Sequence, residues 1–467
     1  MYIDSHAHLN APEFLDDLAE VVERAKQAGV ESIIVPGTDV ESSRKAVELA
    51  DRFSAVYACV GIHPHDASKA DGQFLQEIEE LSAHPKVVAI GEIGLDFFKN
   101  FSPRGAQVEA LKNQLDIARR RNLPIVVHNR DAHAELLDIM EETIRAGGSW
   151  RSNLTTPYSR FPALKGVFHA FSGDAAMAWK LINMGFYVSI PGTITFKNSS
   201  VRQVVQEVSV EHWLLETDSP YLTPVPFRGK RNEPSYLAFI AKRLAEIRSL
   251  SVEDVSRTTN YNIFKLFGIG EPEPPKIAYT LNDTLYLNIT IRCNADCVFC
   301  DRKGEAVIKG HNLRIEREPT SQEVIEAIGD PTRYSEIAFC GYGEPTIRLD
   351  VIKEVARWVK GCGGKVRLNT DGHGNVINRR NIVPELVGLV DSVSISLNSI
   401  DPKQYGELMR IDGQRFFSAM VKFAKECVRH FPEVVMTIVD LCEVEQEKAR
   451  RFVEQEIGAK FKVRPFF

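Results

Sequence analysis

The residues able to do chemistry fall into two groups along the 467-residue chain. Nine of the 12 histidines precede residue 276, and seven of the eight cysteines follow it. The histidines come with carboxylates: His6, His8, Glu92, His128, His169 and Asp218. Side chains two apart on a strand share a face, so His6 and His8 present both rings together. Four imidazoles and two carboxylates are the ligand types of one or two divalent ions. A carboxylate such as Glu92 can bridge two metals. A two-metal centre suits phosphodiester hydrolysis, one ion activating water and the other stabilising the leaving oxygen. Asp218 is the candidate general base and can also ligate.

The cysteines point to different chemistry. Cys293, Cys297 and Cys300 have the spacing CxxxCxxC in RCNADCVFCDR. Soft thiolates hold iron–sulfur clusters or zinc. No fourth Cys lies in the motif. Either a four-iron cluster keeps one iron open to substrate, or zinc takes Asp296, Asp301 or His311 as its fourth ligand. Cys340, Cys362, Cys427 and Cys442 show no CxxC pairing and read as buried or incidental thiols, and Cys59 is the lone Cys before residue 276.

These groups need elements to hold them. Before residue 276, eight β-branched runs (2–5, 32–36, 56–61, 87–91, 124–127, 166–169, 186–190 and 213–216) alternate with amphipathic helical stretches. That alternation predicts an α/β fold with a parallel sheet, and eight units predict a closed (β/α)8 TIM barrel. Such a barrel demands polar chemistry at the carboxyl ends of its strands. Asp4 to His8, Glu92, His128, His169 and Asp218 meet that demand. After the segment GIGEPEPPKI, six more runs (285–291, 335–340, 365–369, 391–397, 433–438 and 460–464) predict an open, partial (β/α)6 barrel. The expected domains are 1–268 and 280–467, joined by a Pro/Gly linker at 269–279.

Composition narrows the function classes. Hydrophobic residues are 44% and charged residues 26%, which indicates a folded chain with ample core. The formal net charge of -6 excludes a broadly basic nucleic-acid binder but not local basic patches. No run of 18 apolar residues predicts a membrane span, and no signal peptide is legible, so a cytoplasmic location and no membrane partner are expected.

The segments YIDSHAHL, GIHPH, GEIGLD, VVHNRDAH, GVFHAFSG and ETDSPYLTPVPFRGKRNEP closely resemble the TatD family of metal-dependent deoxyribonucleases, over nearly all of residues 1–268. The resemblance implies that His6, His8, Glu92, His128, His169 and Asp218 are metal ligands for Zn, Mn or Mg. It implies DNA hydrolysis, often from the 3′ end. His63 and His65 match the segment near the metals, where they orient water or phosphate or shape the loop. Arg130 and the basic turn Arg228, Lys230 and Arg231 are candidate phosphate contacts, and Asp131 a candidate to orient a histidine. The chain departs from the family pattern between His128 and His169. The stretch 145–160, RAGGSWRSNLTTPYSR, reads as an insertion carrying Trp150, Arg151, Tyr158 and Arg160, either to stack bases and bind phosphate or to dock the second domain.

The CxxxCxxC spacing resembles the signature of the radical SAM superfamily, and the resemblance extends over 280–467. Phe299 matches an aromatic position near the adenine. Gly341, Gly343 and Glu344 in GYGEP resemble a motif that holds the methionine amino group of S-adenosylmethionine. Asn369, Ser396 and Asn398 resemble contacts to its ribose or carboxylate, and Arg410 is a further candidate there. The resemblance implies a 4Fe-4S cluster on Cys293, Cys297 and Cys300 and S-adenosylmethionine as cofactors. It also implies an external one-electron donor such as flavodoxin or ferredoxin. The cluster reductively cleaves the sulfonium, and the resulting radical abstracts hydrogen from a substrate. As a whole the chain resembles TatD-associated radical SAM proteins. That implies a bifunctional enzyme acting on DNA or a nucleotide. An alternative is a barrel that hydrolyses a small amide or phosphoester beside a radical domain that modifies a metabolite, peptide or tRNA base. A third reading makes the cysteine triad a zinc site in a binding module.

Overall fold

The computed structural model describes residues 1–146, 165–441 and 443–464. Trp150, Arg151, Tyr158, Arg160 and Cys442, singled out above, lie outside the described residues. The chain divides into two compact units, Met1–Pro272 and Glu273–Phe467.

In the first unit eight parallel strands follow one another in sequence order. They are β1 (Tyr2–Asp4), β2 (Val30–Pro36), β3 (Val56–Val60), β4 (Val87–Asp96), β5 (Ile125–Arg130), β6 (Gly166–Phe168), β7 (Phe186–Ile190) and β8 (Trp213–Leu215). This is the TIM-barrel architecture. Nearly every strand contributes an apolar residue to one inner layer: Ile3, Ile34, Cys59, Ala89, Val126, Val167 and Leu214, with Tyr187 packed beside them. The last helix, Val252–Phe267, adds Ile263, Leu266 and Phe267 to that layer. The lower half of the barrel is therefore a dry plug, and polar side chains are left to its upper end.

Closure between β8 and β1 occurs just past the strand ends. Ser5 N donates to Leu215 O at 2.9 Å, Asp218 N to His6 O at 2.9 Å, and His8 N to Ser219 O at 2.7 Å. Buried Asp4 pins this seam. Its carboxylate accepts Thr217 N at 2.9 Å and Thr217 Oγ1 at 2.6 Å. Burial raises Asp4 to about 7. The residues that close the barrel are thus the immediate neighbours of His6, His8 and Asp218.

Strand ends that carry site residues differ from the sequence expectation. β5 runs on to Arg130, so His128 lies inside it and not at its end. β4 runs on to Asp96, so Glu92 lies inside the strand, where the register with β5 shifts between Ile90 and Ile93. The reason is close approach: a Cβ on Gly94 would fall 1.9 Å from His128 O, and its φ is +148°. Glycine alone lets β4 stay paired there. β1 stops at Asp4, so His6 and His8 lie beyond it, held by the Ala7–Ser219 bridge.

In the second unit the sheet has seven strands. β9 (Ala278–Leu281) is antiparallel to β10 (Thr284–Leu287). A two-residue hairpin, β11 (Val307–Ile308) and β12 (His311–Asn312), stands apart. β13 (Glu336–Phe339), β14 (Val366–Thr370), β15 (Ser392–Ser396), β16 (Glu433–Val439) and β17 (Lys460–Arg464) then continue β10 in parallel. The six parallel strands are those anticipated. The edge strand β9 and the hairpin are additions, each too short for a periodic signal. Register puts Leu287, Phe339 and Leu368 on one face, within the apolar core. Tyr286, Arg367, Asn369, Ser394 and Ser396 fall on the opposite, polar face. Among the described residues no helix is long and apolar enough to cross a membrane.

Thr217→Val keeps the shape of the seam but leaves Asp4 without its hydroxyl donor. A buried acceptor stripped of a partner costs about 1–3 kcal/mol. The expected result is a lower urea midpoint for the first unit at unchanged m-value.

Candidate metal and cofactor sites

Glu92, buried and ionised, is the centre of the first site. Its Oε2 lies 3.4 Å from His6 Nε2 and 3.7 Å from His8 Nε2. Its Oε1 lies 2.9 Å from His128 Nδ1, 2.8 Å from His169 Nε2 and 3.2 Å from His63 Nε2. The two oxygens of one carboxylate thus face two separate sets of imidazoles. Asp218 joins the first set, its Oδ1 being 3.5 Å from His8 Nε2 and 3.9 Å from His6 Nε2. Three triads have ligand atoms converging within 4.8 Å: His6, His169 and Asp218; His6, His8 and Glu92; His63, Glu92 and His128. Borderline nitrogens and hard oxygens brought this close are a donor set for divalent cations.

Charge follows the packing. Burial alone would raise Glu92, but the imidazoles of His169 and His63 outweigh it and hold the carboxyl well below its ordinary value. Asp218 is likewise lowered: burial opposes, and His8, His169 and His6 prevail. Burial lowers His6 and His63 to about 4. His169 goes the other way, to about 10, because Glu92 overrides its burial. The backbone N–H of His65 donates to His63 Nδ1 at 3.1 Å. A neutral His63 therefore carries its proton on Nε2, aimed at Glu92.

The surrounding residues sort the remaining expectations. His65 Nε2 lies 2.9 Å from Asp96 Oδ2, and His128 Nε2 3.2 Å from the same oxygen. Asp131 is exposed at φ 55° and pairs with no histidine among the described residues, whereas Asp96 binds two. The signal was present: Asp96 follows Glu92 by four residues in GEIGLD, an even offset on one strand. Glu216 was also missed. Burial raises it to about 8, and its Oε1 stands 3.9 Å behind His169 Nδ1. Arg231 does not reach outward. Both of its terminal nitrogens bind Asp17 at 2.7 Å. Arg130 and Arg228 pair with no carboxylate among the described residues and lie over Phe98 and Phe196, at 4.1 and 4.4 Å. Lys230 sits over Phe227 in the same turn.

In the second unit, Cys293, Cys297 and Cys300 follow β10 and are half-buried. Burial pushes the Cys293 thiol up to about 12 and raises Cys297 and Cys300 as well. The GYGEP loop packs against the segment that leads into them. A Cβ on Gly343 would fall 2.2 Å from Thr290 O and 2.7 Å from Arg292 O. Gly341 lies equally close to Asn288. Glu344 is buried. Its Oε1 accepts Thr346 Oγ1 at 2.6 Å and Thr370 Oγ1 at 2.8 Å, and its Oε2 accepts Asp371 N at 2.8 Å. The carboxylate ties this loop to the end of β14.

Asn369 Oδ1, Asn398 Oδ1 and, within the cysteine loop, Asn294 Oδ1 are buried without a hydrogen-bond partner. Orphaned acceptors at strand ends fit a ligand that donates to them. Ser396 Oγ accepts Arg464 Nη2 at 3.3 Å, and Phe299 packs on the core. Arg410 turns instead to Asp296, at 3.6 Å. The proposed fourth zinc ligands are engaged elsewhere. Asp296 also pairs with Lys303 at 2.7 Å, His311 lies between Glu273 and Thr280 O, and Asp301 accepts Glu305 N and Ala306 N. His373, fully buried, joins Asn294 at 2.8 Å to Tyr405 OH at 2.8 Å, a bracing contact the sequence did not reveal.

The TatD related DNase family model matches residues 3–268, and the radical SAM superfamily model matches residues 287–455. An uncharacterized metal-dependent hydrolase, YabD of Bacillus subtilis, is 42% identical over 270 residues, covering 58% of this chain and 100% of that protein. The 3'-5' ssDNA/RNA exonuclease TatD of Escherichia coli is 34% identical over 273 residues, 57% of this chain and 98% of its own. The crystal structure of YJJV, a TatD homolog from E. coli, superimposes with a TM-score of 0.52 at 30% identity, covering 58% of this chain and 98% of that one.

A thiol held near 12 stays protonated at neutral pH, so burial protects Cys293 from alkylation. In the cluster-free chain at pH 7.5, iodoacetamide is expected to modify exposed Cys362 at least about tenfold faster than Cys293. Peptide mapping by mass spectrometry checks the ratio.

Proposed function

The chain belongs to the TatD-related DNase family through its first unit and carries a radical SAM domain in its second, and from that premise we propose a bifunctional enzyme. In this reading the barrel hydrolyses phosphodiesters of DNA or a nucleotide, and the second unit cleaves S-adenosylmethionine reductively. The observation that carries the first half is the division of Glu92 between two sets of imidazoles. His6, His8, Glu92 and Asp218 would hold one divalent ion, and Glu92, His128 and His169 a second. Two such ions supply Lewis acidity toward a phosphodiester and lower the pKa of a coordinated water.

The chain's own residues do the rest. Asp218, ionised at the barrel mouth, accepts the proton of the attacking water. His63 donates from Nε2 to Glu92 and keeps the shared carboxylate in orientation, a bond of the kind that tunes metal sites from outside the ligand set. The Asp96 carboxylate accepts from His128 Nε2 and orients that ring. Arg130 and Arg228 present guanidinium groups to the backbone of a nucleic acid.

In the second unit Cys293, Cys297 and Cys300 would hold a 4Fe-4S cluster, and the engagement of Asp296, Asp301 and His311 elsewhere favours this over zinc. Bound there, cluster and S-adenosylmethionine supply one-electron reductive cleavage of the sulfonium, fed by an external donor such as flavodoxin or ferredoxin. Asn369 and Asn398 offer their orphaned carbonyls to the cofactor. The glycines of GYGEP bring backbone close to it, and Glu344 positions that loop.

One preparation tests both halves. Wild-type chain, loaded with Mn and reconstituted with iron and sulfide anaerobically, is expected to shorten single-stranded DNA and to release 5′-deoxyadenosine under reduction. Glu92→Gln is expected to lose DNA cleavage by on the order of 100-fold while keeping deoxyadenosine release. Cys297→Ser is expected to do the reverse. Oligonucleotides left intact while a small phosphoester or amide is cleaved would sink the nucleic-acid reading.

A further inference from the structure

Three large aromatic rings stand in solvent around the first site, and the hydrolytic chemistry uses none of them. Tyr221 is 53% exposed, Phe98 55% and Phe101 68%. Two of them end a single row. Tyr221 meets His8 edge to face at 5.8 Å, and His8 Nε2 is 3.7 Å from Glu92. On the other side Glu92 is 3.2 Å from His63, whose ring is 4.3 Å from that of His65. His65 in turn meets Phe101 at 4.8 Å and 67°. The shared carboxylate is therefore the middle of the row, and an exposed ring stands at either end.

The chain that carries each ring is fastened to the site. Tyr221 N donates to Asp218 O at 2.8 Å, so the ring rides on the turn that carries the candidate base. Next to Phe101, Ser102 Oγ donates to His65 O at 2.8 Å and accepts Ser68 N at 3.0 Å, fastening that loop to the GIHPH segment. Phe98 differs, because the Arg130 guanidinium already lies over its ring at 4.1 Å. No cation covers Phe101 or Tyr221 among the described residues.

We propose that Tyr221 and Phe101 are two base-stacking subsites, one on each side of the scissile phosphate, through which the site takes unpaired nucleobases. The inference rests on the phosphodiesterase reading and deepens it. A phosphate seated at Glu92 has a nucleoside on either side, and each exposed ring offers a face to one base. Stacking on an aromatic side chain is strong and indifferent to base identity. A base inside a duplex has its faces covered by its neighbours, so the two rings select single strands without reading sequence.

The test uses the full metal-loaded chain and two labelled single strands of equal length, one normal and one abasic at its last three positions. Cleavage and equilibrium binding by fluorescence anisotropy are both measured. Phe101→Ala and Tyr221→Ala are each expected to raise KM and Kd for the normal strand about tenfold, with kcat within about twofold. Neither change is expected to alter the abasic strand, and Phe101→Tyr and Tyr221→Phe are expected to restore wild-type values. Equal losses on both strands, or no loss on either, would overturn the proposal. Absence of cleavage by the wild type would count against the phosphodiesterase reading instead, and the anisotropy comparison would still decide the stacking subsites.

Discussion

A single buried carboxylate, Glu92, organises the first unit's site, and the barrel around it is arranged so that it can stay ionised. Five imidazole nitrogens stand within 3.7 Å of its oxygens. A bare carboxylate at that depth would be driven to its neutral form by the loss of hydration. The imidazoles reverse this, and three of them are held in turn by something behind them. Asp96 stands behind His128, the His65 backbone fixes His63, and Glu216 lies behind His169. His6, His63 and His169 cannot be placed one at a time, because their protonation is coupled through Glu92.

The barrel seam shares this dependence. Its closing hydrogen bonds run through His6, His8, Asp218 and Ser219, and Asp4 with Thr217 locks them from below. Closure of the fold and assembly of the site are therefore one event. The apolar plug beneath, built from the strands and the last helix, keeps water out of the lower barrel. Polar side chains can gather only at the carboxyl ends of the strands, as in other barrels of this kind.

The second unit solves a related problem with an open sheet. One face is apolar and packs on helices. The other is polar, with Tyr286, Arg367, Asn369, Ser394 and Ser396 in register across neighbouring strands. Four buried amide oxygens, those of Asn288, Asn294, Asn369 and Asn398, lack partners among the described residues, although unmet acceptors are costly. In the proposed reading a donating ligand would satisfy acceptors of this kind. His373 and Glu344, both buried, spend their hydrogen bonds within the protein and hold the loops that such a ligand would meet.

Much of this was legible in the sequence. The alternation of β-branched runs with amphipathic stretches determined eight strands and then six parallel ones, because sheets and crossover helices bury faces at different periods. The spacing of His6 with His8, and of Cys293 with Cys297 and Cys300, marked the two centres. The short elements β9, β11 and β12 were not legible, since two to four residues carry no period. The even offset of Asp96 from Glu92 placed it on the same strand face, but spacing could not show that Glu92 divides its oxygens between two groups or that Arg231 is bound to Asp17. Each is a contact between residues far apart in the chain, and side-chain type does not say where a charge finds its partner. Local pattern determined which elements form and which residues reach the barrel mouth. Packing around one buried carboxylate decided what those residues do there.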